Sequence, residues 1–466
     1  MDQVINMFTK ANMNPDHLLD KPDVSDLIII RSGTIAPSIL LLLFFTIKFI
    51  PFPVIKSIGF APENIIIMLM GIYLLFHFTK VILLKRKIIV VLFLIAAYFV
   101  LKSLFDFLHG EQAKIPLDSI RMILSMLFLI VVCTTERRFL FAIKIFVVLT
   151  VINVLFGMLV YLIGEPFISV RQWFVASNTT SIAAKVVIIG KGSQLSGIGM
   201  PPHAFGYLMA ATPILCASLF LAERKNIWLL CLLVCFVGLL LNAERSAFLM
   251  NVVVFAVFIL QQRNRLFLLC IFVLCTGITF GAQYIIRSAS VDSASNQEAS
   301  FTYGDMSNRI GKTNINEAME RIKFQMNGIR TVLKHPFSGA TNRDYTEEVL
   351  AGKVAVITDR RLNTTMAPHN NYVNAGIEIG IWGWLIFILL FIQIKHMLKY
   401  DSGYANMGIS KAAVDFGIKL SVVAVFGNAL FHNPGIFSAD FATCTILSFL
   451  MALYTFEPDK KNSFKV

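Results

Sequence analysis

The feature that most constrains this chain is the length and spacing of its apolar runs. They come in blocks of roughly 16–25 residues, the length a helix needs to cross about 30 Å of hydrocarbon. In lipid every backbone N–H and C=O must find its partner internally, so such blocks are predicted to be helices. The strict apolar/polar alternation of a membrane β-barrel is missing. Composition agrees: 56% of the 466 residues are hydrophobic, only 15% are charged, and mean hydropathy is +0.72. A soluble chain of this length needs more polar surface. The first 30 residues are polar and acidic-leaning, unlike a cleavable signal peptide.

The apolar runs predict twelve spans, at about 34–50, 64–83, 88–107, 117–134, 139–163, 203–221, 227–242, 246–260, 266–284, 371–393, 413–431 and 436–454. Basic residues mark every second connection: Lys85-Arg86-Lys87, Arg137-Arg138, Arg224-Lys225, Arg263/Arg265, Lys395/Lys399 and the Lys460-Lys461 tail. The positive-inside rule places these connections, and both chain ends, in the cytoplasm. The net charge of +13 therefore reads as a topology signal, not a nucleic-acid surface. All seven cysteines lie in apolar runs, which argues against a disulfide framework; Cys231 and Cys235 read as packing.

The expected organisation is a cytoplasmic segment (1–33), nine spans (34–284), a large outer loop (285–368), three spans (369–455) and a cytoplasmic tail (456–466). A second long outer connection covers about 164–202. Loops beyond about 15 residues are usually functional or disordered. Within the large loop, Ile315, Met319, Ile322, Met326, Ile329 and Leu333 recur at helical spacing. They predict one amphipathic helix, lying on the outer leaflet or capping the bundle.

Costly polar groups on the outer side are the candidate site residues. Arg245 sits at a span boundary in Asn242-Ala243-Glu244-Arg245-Ser246-Ala247, against the positive-inside bias. It reads as an ion-pair partner of Glu244 or as a clamp for phosphate. His369, in Pro368-His369-Asn370-Asn371, stands where the large loop re-enters the bilayer, with Asn370 or Asn371 as helix cap. It is an interfacial residue or a general base. Arg321 on the loop helix has Glu317 four residues earlier as a surface partner, while Lys323 and Arg330 make the same helix basic. His203 follows Pro201-Pro202 at the sixth span. Glu378 and Asp440 read as buried structural partners, and Lys48, Lys80 and Lys102 as snorkelling side chains. No Asp-x-Asp, Walker loop or Gly-rich dinucleotide fingerprint occurs, so neither a metal-held diphosphate nor nucleotide chemistry is indicated.

These segments resemble the bacterial O-antigen ligase and polymerase superfamily. His369-Asn370 followed by Gly380-Ile381-Trp382-Gly383 is similar to its His-Asn…Gly-x-x-Gly signature. Glu244-Arg245-Ser246-Ala247 is similar to its Ser-Arg-Gly-Ala, and Arg321 with His335-Pro336-Phe337-Ser338-Gly339 to its large-loop element. A looser likeness lies in Gly197-Ile198-Gly199-Met200-Pro201-Pro202-His203. Departures are Trp384-Leu385 where the ligases carry threonines, Ser246 for glycine, and Phe324 near the place of a missing tryptophan.

The resemblance implies an integral inner-membrane glycosyltransferase of a bacterium. Its donor would be an undecaprenyl-diphosphate-linked oligosaccharide and its acceptor a glycan or the lipid A core. Membrane lipids surround it, a chain-length regulator is a further partner, and no cofactor or metal is needed. It further implies that His369 deprotonates the acceptor while Arg245 and Arg321 bind the diphosphate, with inversion at the anomeric carbon. Asn370, Arg330, Lys323 and His203 are supporting candidates. The missing threonines lean towards polymerase over ligase. A flippase of the same lipid is the alternative of another class; it would place cations on both sides of the midplane and show repeat symmetry.

Overall fold

In a computed structural model of the chain the described residues are 24–50, 62–110, 117–163, 166–176, 202–242, 244–261, 315–351, 368–400, 409–432 and 435–456, with isolated positions at 195, 197–198, 200, 269–270, 273, 277 and 402. Helices dominate, and no strand occurs among the described residues. They are α1 (Val24–Phe49), α2 (Pro62–Phe76), α3 (Phe78–Ile82), α4 (Arg86–Leu108), α5 (Leu117–Val132), α6 (Glu136–Leu162), α7 (Phe167–Ala176), α8 (Pro202–Glu223), α9 (Asn226–Asn242) and α10 (Arg245–Gln261). Beyond these come α11 (Ile315–Lys334), α12 (Asn342–Ala351), α13 (Asn371–Ile379), α14 (Ile381–Leu398), α15 (Ile409–Asn428) and α16 (Phe441–Thr455).

Among the described residues, four helical stretches are long and apolar enough to cross a membrane: Arg86–Leu108, Glu136–Val160, Ala204–Glu223 and Ile381–Leu398. Ala36–Phe49, Glu63–Phe76, Asn226–Asn242, Ser246–Gln261 and Phe441–Thr455 are shorter apolar helices. Large apolar side chains also cover the outside: Phe76, Phe93, Leu260 and Phe391 are exposed. Water disfavours such surface, and lipid does not. The chain is therefore an all-α membrane protein. The expected ninth span, 266–284, lies almost wholly outside the described residues.

α8 forms the buried axis. Small residues let its neighbours approach: a side chain at Gly417 of α15 would collide with Ser218, and one at Gly238 of α9 with Val154 and Met209. Close backbone approach and interhelical hydrogen bonds are how helices associate in lipid. Here Ser421 Oγ donates to the Ala211 carbonyl (3.4 Å) and Asn251 Nδ2 to that of Ala210 (3.0 Å). On another side the Phe44, Phe45, Phe49, Phe146, Phe441 and Phe449 rings interlock α1, α6 and α16.

Those basic connections that lie among the described residues gather at one end. Lys85 Nζ lies over the Tyr400 and Tyr454 rings, Lys411 pairs with Glu136 at 2.6 Å, and Lys144 pairs with Glu223. Lys419 Nζ donates to the Tyr400 carbonyl at 2.8 Å and pairs with Asp415.

Two expected spans differ in form. The second is interrupted at His77, whose ring stacks on Tyr73. More consequentially, the single helix expected over 371–393 is two helices. At Gly380 (φ 68°, ψ −150°) the chain enters a region essentially open only to glycine, and α14 folds back along α13. Trp384 Nε1 donates to the Tyr372 carbonyl at 3.2 Å. In one continuous helix those residues would be about 18 Å apart.

Candidate functional site

The end of the bundle opposite the basic connections holds most of the sequence-predicted site residues. It begins at the α9–α10 junction. Asn242 Nδ2 donates to the Leu195 carbonyl (2.7 Å), and the Leu195 amide to that of Leu241 (3.0 Å), tying the connection after α7 to the end of α9. The Ile198 amide donates to Asn153 Oδ1 of α6 (2.9 Å). Gly206 on α8 leaves room for Asn242 and Glu244: a Cβ there would come within 3.2 Å of both. The Phe248 amide bonded to the Glu244 carbonyl (3.0 Å) opens α10, with Arg245 in its first turn. The side chains of Arg245, Arg321 and His203 lie outside the described residues, although their helices are described.

Glu244 and Ser246, flanking Arg245, meet at His432. The His432 Nε2 is 2.7 Å from Ser246 Oγ and 3.1 Å from Glu244 Oε2. Both His432 and Glu244 are buried, and the Tyr207 ring packs edge-on to the imidazole. The turn after α15 carries His432 and also receives the segment of His369. The Asn371 amide donates to the Ala429 carbonyl (3.0 Å), the Tyr372 hydroxyl to that of Phe426 (2.7 Å), and Gly435 lies against the Asn371 amide group.

His369 itself has φ +51°, a left-handed conformation costly for a residue with a Cβ. It is partly exposed, while Pro368, Asn370 and Asn371 around it are buried. As expected, Asn370 caps α13, its Oδ1 accepting from the Tyr372 (3.0 Å) and Val373 (3.1 Å) amides. Asp440 caps α16 in the same way through Thr443.

The loop helix α11 docks beside His369. Gly328 permits the contact: a Cβ there would meet Val373, Ile377 and Pro368. Arg321 occupies the helical register of Phe324 and Gly328, two turns away. Phe324, Val332, Tyr345, Val373 and Ile377 make a small separate core under the loop.

The docked face is not the apolar stripe. Ile322 (53% exposed), Met326 (47%) and Leu333 (68%) face outward, as do Lys323 and Arg330, while Asn327 and Thr331 are buried. These members of the apolar stripe are exposed, and the helix docks by a different face. Lys323 and Arg330 are thus separated from the face that meets His369. Arg330 Nη1 reaches only Asn327 Oδ1, at 3.4 Å.

The His335–Gly339 turn locks onto the α13–α14 break. The Ile381 amide donates to the Pro336 carbonyl (2.8 Å), and the Ala340 amide to that of Ile377 (2.7 Å). Gly339 (φ +67°) and Gly380 are the two left-handed positions that allow it. Thr341 and Asp344 then open α12 with a reciprocal cap: Thr341 N donates to Asp344 Oδ2 (2.8 Å), and Asp344 N to Thr341 Oγ1 (3.2 Å). The Thr341 amide bond holds the Asp344 carboxyl below its ordinary range.

Glu378, at the break, bonds Tyr98 and Lys102 of α4 and accepts from Asn374 Nδ2 at 3.1 Å. Lys102 is therefore paired, as Lys48 is with Glu63.

Sequence reading missed His432 and Asn428. A signal for His432 existed: it falls in the short turn between the last two apolar runs, on the predicted side of Arg245 and His369. Asn428 is buried with neither amide atom hydrogen-bonded, and the Asn327 Nδ2 is likewise unpartnered. Buried amides without partners are rare in folded proteins and mark places where a ligand or water is expected.

A membrane bundle with a docked loop helix, a strained histidine and buried polar side chains at one end defines the class: a polytopic membrane protein. Residues 230–388 match the family described as O-antigen ligase, from within α9 to within α14, and this match supports the resemblance to the O-antigen ligase and polymerase superfamily. The matched family indicates a glycan-transferring enzyme and implies a lipid-linked glycan donor and an acceptor in the membrane. Arg245, Arg321 and His369 fall inside the match, and His432 falls outside it. No curated protein matches the chain.

Proposed function

We propose that the protein polymerises glycan repeat units carried on undecaprenyl diphosphate, in a twelve-span bundle with both ends cytoplasmic and the site at the outer face. The observation that carries this reading is convergence. The α10 start that carries Arg245 is bound through Ser246 to His432 of the turn that also receives the His369 segment, and α11, which carries Arg321, docks on that segment at Gly328.

In the proposed reaction an acceptor hydroxyl attacks the anomeric carbon of the donor. The new C–O bond forms as the bond from that carbon to the diphosphate oxygen breaks, with inversion. The diphosphate leaves with the electron pair, and the hydroxyl proton passes to a neutral His369. Arg245 and Arg321 stabilise the charge that grows on the leaving group. Guanidinium groups suit this role because they are always charged and bind phosphate oxygens bidentately. Among the described residues no three His, Cys, Asp or Glu side chains are grouped to hold a metal ion. The arginines would take the place of a metal.

Two experiments test this. Purified protein given lipid-linked donor in excess EDTA should still form product; strict metal dependence would sink the scheme. His369→Ala should abolish product while inserting normally, and wild-type turnover would remove the base.

The second reading, ligase, is favoured by the description of the matched family. Trp384, which replaces a ligase threonine, fills the α13–α14 contact against Gly376, a packing role that either activity tolerates. Gene deletion followed by glycan electrophoresis separates the two. Loss of the ladder with single units still attached means polymerase. Absence of attachment with long lipid-linked chains means ligase.

A further inference from the structure

Glu244 and Ser246 flank Arg245 in the chain, His432 contacts both, and none of the three has a part in the chemistry above. His432 Nε2 lies 3.1 Å from the Glu244 carboxylate, which accepts a hydrogen bond whenever that nitrogen carries a proton, and 2.7 Å from the Ser246 hydroxyl, which can donate to it or accept from it. One imidazole thus grips both residues that flank the arginine, from a turn 186 positions away from Ser246. Both side chains of the His432–Glu244 pair are only 7% exposed.

A buried carboxylate next to an anion-binding arginine is an electrostatic liability. It competes with the diphosphate for the guanidinium and repels the incoming anion, more strongly the lower the local dielectric. Left without its N–H donor, that carboxylate would find another partner or take up a proton. We infer that His432 is a positioning residue for donor binding: it holds the Glu244 carboxylate and the Ser246 hydroxyl in place, and through them the α10 start that presents Arg245. This rests on the reading of Arg245 as a diphosphate ligand.

The test is steady-state kinetics of reconstituted full-length protein with lipid-linked repeat unit as varied substrate. His432→Ala should raise the donor KM at least about tenfold, as expected for loss of a hydrogen bond to a charged group, and leave kcat within about threefold. His432→Gln keeps an amide N–H donor and should recover most of the loss. Glu244→Gln added to His432→Ala removes the stranded charge and should bring KM back towards wild type. A packing role predicts neither recovery, since the shortened side chain remains in the double variant. An unchanged donor KM in His432→Ala, or a double variant no better than the single one, overturns the inference. Arg245→Ala run alongside isolates the underlying reading: if it leaves donor KM unchanged, Arg245 is not the ligand, and the role of His432 falls with it.

Discussion

Gly380→Ala should undock the large loop from the membrane bundle. At φ +68° and ψ −150° an alanine is held in a region that is nearly glycine-only, which costs about 1–3 kcal/mol. Its Cβ would also stand 2.8 Å from the Pro336 carbonyl carbon, inside van der Waals contact. The atoms it meets are backbone, which cannot rotate aside as the end of a long side chain can. Relief requires the His335–Gly339 turn to move, and that sacrifices the Ile381 N–H bond to the Pro336 oxygen, worth about 1 kcal/mol. The combined penalty is roughly 2–4 kcal/mol, concentrated on one contact.

The consequence is specific. Thermal unfolding in detergent should show a lower midpoint, and limited proteolysis should cut between α11 and α12 faster than in wild type. Transfer activity should fall with the docking. Gly71→Ala is the control: its nearest neighbour, in α5, is 3.9 Å from the added Cβ, so the substitution should be neutral or stabilising by up to about 1 kcal/mol. If Gly380→Ala keeps both the midpoint and the protease resistance of wild type, the Gly380 lock is not what holds the loop.

Asn428→Leu removes two unpartnered buried amide atoms at nearly constant volume. Stability measured by thermal unfolding should hold or rise by about 1 kcal/mol while transfer drops; a clear loss of stability would make Asn428 a structural residue. A bimane label on Leu333→Cys of α11 should be quenched by brominated lipid, because the exposed Ile322–Met326–Leu333 stripe with flanking Lys323 and Arg330 suits a bilayer surface. Quenching by aqueous iodide with none from brominated lipid would refute that placement. The depressed Asp344 carboxyl adds stability to α12 that is present above its unfolded range, near pH 4, and is lost as pH falls through its lower folded value. Amide exchange in α12 should speed up below that range, and in Asp344→Asn it should lose this acid sensitivity.

Apolar run length made the helical membrane class legible, since lipid allows a spanning segment few alternatives. Where each run broke was less legible. The Gly380-Ile381-Trp382-Gly383 element looked like the head of one long span because its neighbours are apolar. Only the contacts of Gly380 with Pro336, and of Trp384 with Gly376 and Tyr372, reveal a hairpin. The loop helix was legible as a helix but not in its orientation. Spacing identifies an apolar stripe, yet beside a membrane an apolar face is at home in lipid as well as in a core. The docked face is marked instead by Gly328, Asn327 and Thr331, whose smallness or polarity hides them from a hydropathy reading.

The same reasoning explains why His369 was found and His432 was not. His369 sits in a local pattern, with Pro368 before it, the Asn370 cap after it and the glycines of the break within a dozen residues. His432 has meaning only through partners on α10, and no local spacing encodes a contact across 186 residues. Its neighbours are nevertheless the ones a diphosphate site needs controlled. A cation at headgroup depth is useful only if the nearest carboxylate is held still, and Glu244 is the residue immediately before Arg245. The chain therefore divides the work between local and distant elements. Short motifs shape the backbone around His369, and the α15–α16 turn, far along the sequence, holds the two residues that flank Arg245.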